Sequence, residues 1–222
     1  MLFSFLFTLL HIFSCSESKD DEQLRYLALG DSYTIGESVT VDERWPVQLT
    51  ERLRSDGVNI ADPQIIATTG WTTDELQEAL DEEDLETEFD MVSLLIGVNN
   101  QYRGYPIAQF ESEFESLLGE AIIYARGRRD RVIVLSIPDY GVTPFGQTKD
   151  PQKIAKELDE YNRIAEGICT KLGVRFYGIT EHSRLALSDE SLVADDTLHP
   201  SGVMYKHWVD TVYPDVRNMF ID

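Results

Sequence analysis

The sequence is poor in cysteine and in cationic residues, and both shortages exclude classes of protein. Only two of its 222 residues are cysteine, so a disulfide framework is excluded, and their spacing suits no metal site. Lysine and arginine total 19 against 40 aspartates and glutamates, which gives a formal net charge of −21. A surface of that sign repels nucleic acid and anionic lipid, so neither is an expected partner. The chain also has no internal repeat and no low-complexity tract.

Long apolar runs are missing too, apart from one at the N-terminus. Residues 1–13 are almost all apolar, too few to span a bilayer stably but enough for the apolar region of an export signal. The run ends at Ile12-Phe13-Ser14-Cys15, which resembles the bacterial lipobox, where cleavage leaves the cysteine as a lipidated N-terminus. A polar, acidic tether follows at 16–22.

We therefore predict that residues 1–22 are an export signal with its tether. Cys15 would carry the lipid that anchors the protein to a bacterial membrane, on the periplasmic or cell-surface side. A plain secretory signal, in which Cys15 has no role, is the alternative. Residues 23–222 are long enough to form one domain with a substantial core.

Beyond the tether, strand-like and helix-like segments alternate to the end of the chain. This pattern is typical of an α/β fold, a parallel sheet with helices on both faces. Apolar runs predict five strands, at 25–29, 64–67, 91–96, 132–137 and 174–177. Amphipathic spacing predicts helices at 44–55, from 72 onward, at 107–125, at 152–172 and from about 201. Residues 139–150, with two glycines and a proline, are predicted as a loop.

A serine comes directly after the first predicted strand. The apolar run from Tyr26 to Leu29 ends at Gly30, and Ser32 follows two residues later. A serine on a tight turn that leaves a buried strand has its hydroxyl raised above the sheet, within reach of a substrate. Taken alone, the turn also fits an ordinary helix start with a capping side chain.

Near the other end of the chain, Asp196 precedes His199 by three residues on a predicted loop. This separation lets the carboxylate reach the imidazole and fix its tautomer, as a nucleophilic serine requires of its base. Taken alone, the pair also fits polar residues at a helix start. The other histidines suit the role less well, because His11 lies in the predicted signal and His182 and His207 lie on helices without such a partner.

Two further polar groups follow predicted strands. Gly70 comes after the second strand and Asn99 after the third, so both are expected at the same sheet edge as Ser32. Stabilising an oxyanion needs several donors, and the N–H groups of Ser32 and Gly70 and the side-chain amide of Asn99 can supply three. Glycine suits its position because a substrate oxygen must approach bare backbone there.

In order along the chain, Gly30-Asp31-Ser32-Tyr33, Gly70, Gly97-Val98-Asn99 and the segment from Asp196 to His199 resemble the four sequence blocks of the SGNH (GDSL-type) hydrolases. The resemblance extends from Leu27 to about Trp208. Three positions depart from the family pattern: Tyr33 stands where leucine is commonest, Thr68 where asparagine is frequent, and Asn100 where aspartate usually follows Asn99.

The resemblance implies a flavodoxin-like, three-layer αβα sandwich and ester hydrolysis through an acyl-enzyme, without metal or cofactor. It implies that Ser32 is the nucleophile, that Asp196 and His199 complete a catalytic triad, and that Ser32, Gly70 and Asn99 form the oxyanion hole. Trp71, Tyr102, Arg103 and Tyr140 lie near these residues and are candidates for substrate binding, with ordinary loop packing as the alternative.

Export of the protein favours small acyl groups, such as acetyl on carbohydrates, as the predicted substrates. Lysophospholipids and acyl thioesters stay open within the same fold. From a different class, the hydroxyl-rich turn at 32–36 also suits a flavin or phosphate at a helix N-terminus, although Asp31 places an anion beside it. A third alternative is a lipoprotein whose fold has become purely structural. The oligomeric state is not predicted.

Overall fold

A computed structural model describes residues 23–83, 85 and 88–221. The predicted signal and tether, with Cys15, lie outside the described residues. Within the described part, the strands form one parallel sheet in the order β2-β1-β3-β4-β5, which confirms the predicted fold class. The strands are β1 Tyr26–Gly30, β2 Gln64–Ala67, β3 Met91–Leu95, β4 Val132–Leu135 and β5 Arg175–Tyr177.

The helices connect these strands and carry the predicted amphipathic stripes. Those of the described residues are α1 Ser32–Ile35, α2 Trp45–Ser55, α3 Thr73–Glu82, α4 Val98–Tyr102, α5 Ile107–Tyr124, α6 Pro144–Gln147, α7 Pro151–Leu172, α8 Thr180–Arg184 and α9 Gly202–Phe220. Short 3₁₀ turns lie at Val41–Glu43, Arg129–Arg131, Tyr140–Val142, Leu185–Leu187 and Glu190–Leu192. No helix among the described residues has the length and apolarity needed to cross a membrane.

The prediction of a plain loop at 139–150 is wrong in part. This segment contains the 3₁₀ turn Tyr140–Val142 and helix α6. Asp139 caps the first by accepting from the Gly141 N–H, and Thr143 caps the second by accepting from the Gly146 N–H. Pro144 then occupies the first turn of α6, where its missing N–H costs nothing. The capping residues therefore impose local order on a stretch whose glycines and proline suggested none.

The helices form two groups, one on each face of the sheet. α2 packs against α9, whereas α5 packs against both α3 and α7. Strands β1, β3 and β4 are buried along their whole length, as expected for parallel strands covered on both faces. The rings of Trp45 and Trp208, from α2 and α9, are completely buried in the shared core.

The strand order brings the predicted site together. β1 lies between β2 and β3, so the chain reverses its direction of winding at β1. In open α/β sheets, the carboxyl ends of the strands at such a point form the usual binding crevice. Ser32 follows β1 at the start of α1, Gly70 lies in the loop after β2, and Asn99 follows β3 in α4, which places all three at this edge.

Candidate active site

Ser32 is the first residue of α1, and its position depends on the two residues before it. Asp31 caps the helix by accepting, through Oδ1, from the Tyr33 N–H at 3.0 Å. Gly30 is required by close packing, because a Cβ there would lie 2.4 Å from the carbonyl oxygen of Leu95 on β3. The serine is therefore held on a rigid turn, and only 5% of it is exposed.

His199 and Asp196 form a hydrogen-bonded pair. The distance from His199 Nδ1 to Asp196 Oδ2 is 2.5 Å, and Asp196 Oδ1 accepts from the N–H groups of Leu198 and His199, both at 2.9 Å. Thr197 adopts the left-handed region, with φ of 70°, which turns the loop back on the carboxylate. With Nδ1 donating to the carboxylate, Nε2 is the ring nitrogen left to accept a proton.

The hydrogen bonds on Asp196 keep it ionised. Burial alone would raise the pKa of this carboxyl, but donation from the His199 ring, from the N–H groups of His199 and Leu198 and from the Ser38 hydroxyl outweighs it and lowers the pKa to about 2. Asp196 is thus a carboxylate across the working range of an ester hydrolase, as the orienting member of a triad must be.

Tyr33 supports the imidazole from within the core. Its ring meets the His199 ring edge to face at a centroid distance of 5.9 Å and meets the Trp208 ring at 6.2 Å. Such contacts favour one ring orientation over others. The departure from leucine at this position therefore replaces an aliphatic support with an aromatic one.

The predicted oxyanion donors lie in the segments that directly follow β1, β2 and β3: Ser32 begins α1, Gly70 lies in a loop, and Asn99 lies in α4. Asn99 Nδ2 donates to the carbonyl of Trp71 at 2.9 Å, which fixes the amide and leaves its second N–H free to donate elsewhere. Within the described part of the chain, the N–H groups of Ser32 and Gly70 donate to no protein acceptor. Gly70 has φ of 92°, a conformation that favours glycine.

Asn100 links two of these segments, α4 and the start of α3. It is completely buried; its Oδ1 accepts from the Thr73 N–H at 3.1 Å, and its Nδ2 donates to Thr73 Oγ1 at 2.6 Å. Thr73 begins α3, three residues after Gly70. The sequence identified Asn100 only as a departure from aspartate, whereas in the structure its two hydrogen bonds join α4, which carries Asn99, to the start of α3, which follows the Gly70 loop.

A cleft of about 180 Å³ opens over this edge of the sheet. Its walls are mainly apolar and aromatic, and they comprise Ser32, Tyr33, Val98, Asn99, Tyr102, Tyr140, Phe145, Leu198 and His199. Ser32, Asn99 and His199 therefore share one cavity. Among the described residues, no hydrogen bond joins Ser32 to His199, a common situation in substrate-free sites, where catalytic hydrogen bonds tighten on binding.

Of the candidates for substrate binding, Tyr102 and Tyr140 line the cleft, and their rings meet at 6.1 Å. Trp71 instead packs its half-buried ring against the hydrophobic core. Arg103 donates to the Gly70 carbonyl at 2.7 Å and forms an ion pair with Glu75 at 3.0 Å, so it supports the Gly70 turn. Substrate binding by these residues stays a prediction.

Phe145 is a cleft residue that sequence reasoning missed. It lies on α6, inside the segment predicted as a loop, and no spacing pattern marks it. Its backbone N–H donates to the Thr197 carbonyl at 3.1 Å, which ties α6 to the loop of the Asp196–His199 pair. The signal for α6 in the sequence was the order of a capping threonine and a proline directly before this aromatic residue.

Metal ligation finds no support in the described residues, where no three His, Cys, Asp or Glu side chains converge. His182 and His207 face each other at 6.3 Å between ring centroids.

The geometry agrees with an independent comparison of sequence families. The model of the GDSL-like lipase/acylhydrolase family matches residues 28–207, most of the chain. The chain belongs to this family. It is accordingly a carboxylic ester hydrolase. Among curated proteins, no sequence matches it.

Solved structures show the same fold at low sequence identity. The lipase/acylhydrolase from Enterococcus faecalis superposes with a TM-score of 0.68 at 18% identity, covering 88% of this chain and 96% of that one. The acetylxylan esterase Axe2 from Geobacillus stearothermophilus gives 0.65 at 19%, covering 87% and 94%. The psychrotrophic esterase EstA from Pseudoalteromonas sp., in a structure inhibited by monoethylphosphonate, gives 0.65 at 16%, covering 89% and 99%.

The Asn99 amide of this hydrolase gives a first test of the oxyanion hole. We expect Asn99→Ala to lower kcat for ester hydrolysis by about 100-fold or more, because one donor is worth ~3 kcal/mol in the transition state. KM should change little, since the uncharged ester carbonyl needs the donor less. Steady-state kinetics with p-nitrophenyl acetate measures both constants. A higher KM with an unchanged kcat would instead assign Asn99 to ground-state binding.

Asp31 gives a test based on stability. Complete burial raises the pKa of this carboxyl to about 7, although the N–H of Tyr33 partly offsets the shift. Between pH 4 and 7 the unfolded chain releases this proton and the folded chain keeps it, so folding becomes less favourable as pH rises.

We therefore expect Asp31→Asn, which keeps the helix cap, to gain stability relative to the parent enzyme over that pH range. The gain should reach at most about 4 kcal/mol, from about three pKa units. Urea denaturation of both proteins at pH 4.5, 6 and 8 measures the difference. A difference that is the same at all three pH values contradicts the assignment.

Proposed function

We propose that this enzyme hydrolyses esters of short acyl groups, with acetyl groups on carbohydrates as its natural substrates, through an acyl-enzyme on Ser32. The observation that carries the proposal is the cleft that is lined by Ser32, Asn99 and His199, with Asp196 hydrogen-bonded to His199 behind it. The roles of these residues follow from their hydrogen bonds.

In the first half of the reaction, Ser32 Oγ attacks the ester carbonyl while His199 Nε2 takes its proton. Asp196 stays ionised, keeps the ring in the tautomer that accepts at Nε2, and stabilises the imidazolium. The oxyanion of the tetrahedral intermediate accepts from the N–H groups of Ser32 and Gly70 and from the free N–H of Asn99. His199 then protonates the leaving alcohol, and the acyl group remains on Ser32.

In the second half, water replaces the alcohol. His199 takes a proton from the water as it attacks the acyl-enzyme, and the same three donors stabilise the second oxyanion. Collapse of this intermediate releases the carboxylic acid, and the proton on His199 returns to Ser32. Every proton is thus exchanged between groups already present in the cleft.

The size of the cleft supports a short acyl group. Pockets that enclose drug-sized ligands measure about 300–1,000 Å³, whereas this cleft holds about 180 Å³. Tyr140, Phe145 and Leu198 are among the residues that line it. Short chains fill such a space. Each further methylene of a long chain would extend into water and add no free energy of burial.

The rim of the cleft supports a carbohydrate as the alcohol part. Tyr102 is 54% exposed and its ring stands beside the buried ring of Tyr140 and the half-buried ring of Phe145, so one aromatic ring faces the solvent at the cleft that contains Ser32. Aromatic faces pack against the apolar faces of sugar rings, and the phenol hydroxyls can hydrogen-bond to sugar hydroxyls. A relative with this fold is described as an acetylxylan esterase, which agrees with the proposal.

A panel of esters tests chain length directly. We expect kcat/KM for p-nitrophenyl acetate and butyrate to exceed that for the decanoate by about tenfold or more, and acetylated xylan to release acetate. The Ser32→Ala variant controls for spontaneous hydrolysis. A preference for decanoate or for acyl thioesters would instead establish the lipase-like or thioesterase alternative, and a yellow protein without hydrolytic activity would establish flavin binding.

We also propose that the enzyme is exported and anchored through Cys15, on the basis of the apolar run and the lipobox-like residues before it. The test is the cellular location of the full chain and of Cys15→Ser in a bacterial host. We expect the parent in the membrane fraction and the variant released from it. A parent protein in the soluble exported fraction indicates a plain secretory signal, and one in the cytoplasm contradicts export.

A further inference from the structure

A second side chain reaches the catalytic carboxylate from the opposite end of the sequence. Ser38 Oγ donates to Asp196 Oδ2 at 2.7 Å, across 158 positions of the chain. This is the same oxygen that accepts from His199 Nδ1. With the two backbone donors on Oδ1, Asp196 accepts four hydrogen bonds, which fills the usual capacity of a carboxylate.

The backbone of Ser38 is held in a conformation that serine rarely adopts. Its φ is 66°, in the left-handed region, where the Cβ of an L-residue crowds the following carbonyl. Of the described non-glycine residues, only Ser38, Arg126 and Thr197 have positive φ. Two of these three therefore lie at Asp196. Glycine would fit position 38 without strain, so the serine must contribute through its hydroxyl, as strained residues at functional sites do.

Both ends of the loop that carries Ser38 are anchored. Glu37 accepts a hydrogen bond from Thr69, the neighbour of Gly70, so the loop contacts the oxyanion side of the site. On the other side, Thr40 and Glu43 form a capping box that starts the next turn. Ser38 lies between these anchors and is thereby kept in reach of Asp196.

We propose that Ser38 is a positioning residue of the catalytic triad, whose hydroxyl holds Asp196 Oδ2 in line with His199 Nδ1. The proposal rests on the ester hydrolysis proposed above. With the hydroxyl removed, Oδ2 keeps one donor and can rotate away from the ring. A smaller fraction of molecules then presents Nε2 to Ser32, which lowers kcat and leaves substrate binding unchanged.

The hydroxyl also affects the dependence of the reaction on pH. Ser38 is one of the donors that lower the pKa of Asp196, so its removal leaves a more basic carboxylate that attracts the protonated imidazole more strongly. The acid limb of the kcat/KM profile should therefore move to higher pH. Other titratable or charged groups around the pair are Asp31, Tyr33, Glu37, Arg44, Asp139, Tyr140, Asp195 and Tyr205, and the substitution changes none of them.

The experiment compares Ser38→Gly and Ser38→Ala with the parent enzyme. Glycine removes the hydroxyl and the strain together, whereas alanine removes only the hydroxyl. We expect kcat to fall about tenfold in both, as for a lost hydrogen bond to a charged group, with KM within twofold. The acid limb of the kcat/KM profile should shift to higher pH by about half a pH unit in both variants. Ser38→Gly should unfold at a higher urea concentration than Ser38→Ala, because glycine adopts the positive φ without strain. Equal losses of kcat in two variants of different stability would show that reduced folding does not cause the losses.

A double variant separates positioning from any independent effect. In the Asp196→Asn background, Ser38→Gly should cause no further loss of kcat, because the hydroxyl acts through the carboxylate. An equal tenfold loss in that background overturns the proposal, and so does a single variant with parental kcat and pH profile. A parent enzyme that hydrolyses no ester in the panel contradicts the proposed function instead, so the two failures are distinguishable.

Discussion

Replacing Ser32 with alanine is expected to lower kcat for p-nitrophenyl acetate by about 10⁵-fold or more, with the fold intact. In the proposed mechanism the Ser32 hydroxyl oxygen forms the acyl-enzyme, and no other described serine lines the cleft. Without it, only water attack assisted by the oxyanion donors remains. The methyl group of alanine fits the same turn, because the cap on α1 comes from Asp31 and not from the serine.

The matched control for this substitution is Ser55→Ala at the end of α2. The Ser55 hydroxyl is exposed and donates only to the Arg52 carbonyl of its own helix, so its loss should leave kcat within twofold of the parent. Circular dichroism and urea midpoints establish that both variants fold. Activity of Ser32→Ala above a few per cent of the parent would exclude Ser32 as the nucleophile.

Replacing Asp196 with asparagine is expected to lower kcat by about 10⁴-fold, the second largest effect. Oδ1 of the new side chain can still accept from the N–H groups of Leu198 and His199. Its NH₂ group then occupies the place of Oδ2 and donates to His199 Nδ1. The ring is forced to carry its proton on Nε2, which points at Ser32, and a protonated Nε2 cannot accept the serine proton.

The control for this change is Asp195→Asn, which alters the same charge at the neighbouring position. We expect its kcat to stay within about threefold of the parent, since surface charges at this distance are screened. Steady-state kinetics from pH 5 to 9 compares the variants. Equal losses for both substitutions would indicate a general charge effect and contradict a specific pair between Asp196 and His199.

The strands and the candidate triad were accessible from the sequence because each depends on local patterns. Mainly apolar runs such as the one at 91–96 indicate strands buried on both faces, and their alternation with helices indicates a parallel sheet. The short spacing between Asp196 and His199 places two interacting groups on one loop. In a parallel sheet the residues that follow the strands lie at one edge, which is how Ser32 and Asn99 were related.

Contacts between distant segments were not accessible in the same way. Ser38 and Asn100 act through hydrogen bonds to Asp196 and Thr73, and nothing in the spacing of these residues indicates such partners. Phe145 was missed because α6 depends on side-chain caps within a segment of low helix propensity. The contacts of Ser38 and Asn100 require the tertiary structure, since each joins two segments that are distant in the sequence.

Covalent labelling tests the central claim, that one activated serine performs the chemistry, most directly. The full chain is treated with a fluorophosphonate, residual esterase activity is followed, and peptides are mapped by mass spectrometry. We expect one phosphonate per chain, on the peptide that contains Ser32, with activity lost in proportion and with labelling much slower in Asp196→Asn. Complete inactivation with the label on another residue, or full activity with Ser32 labelled, would contradict the account.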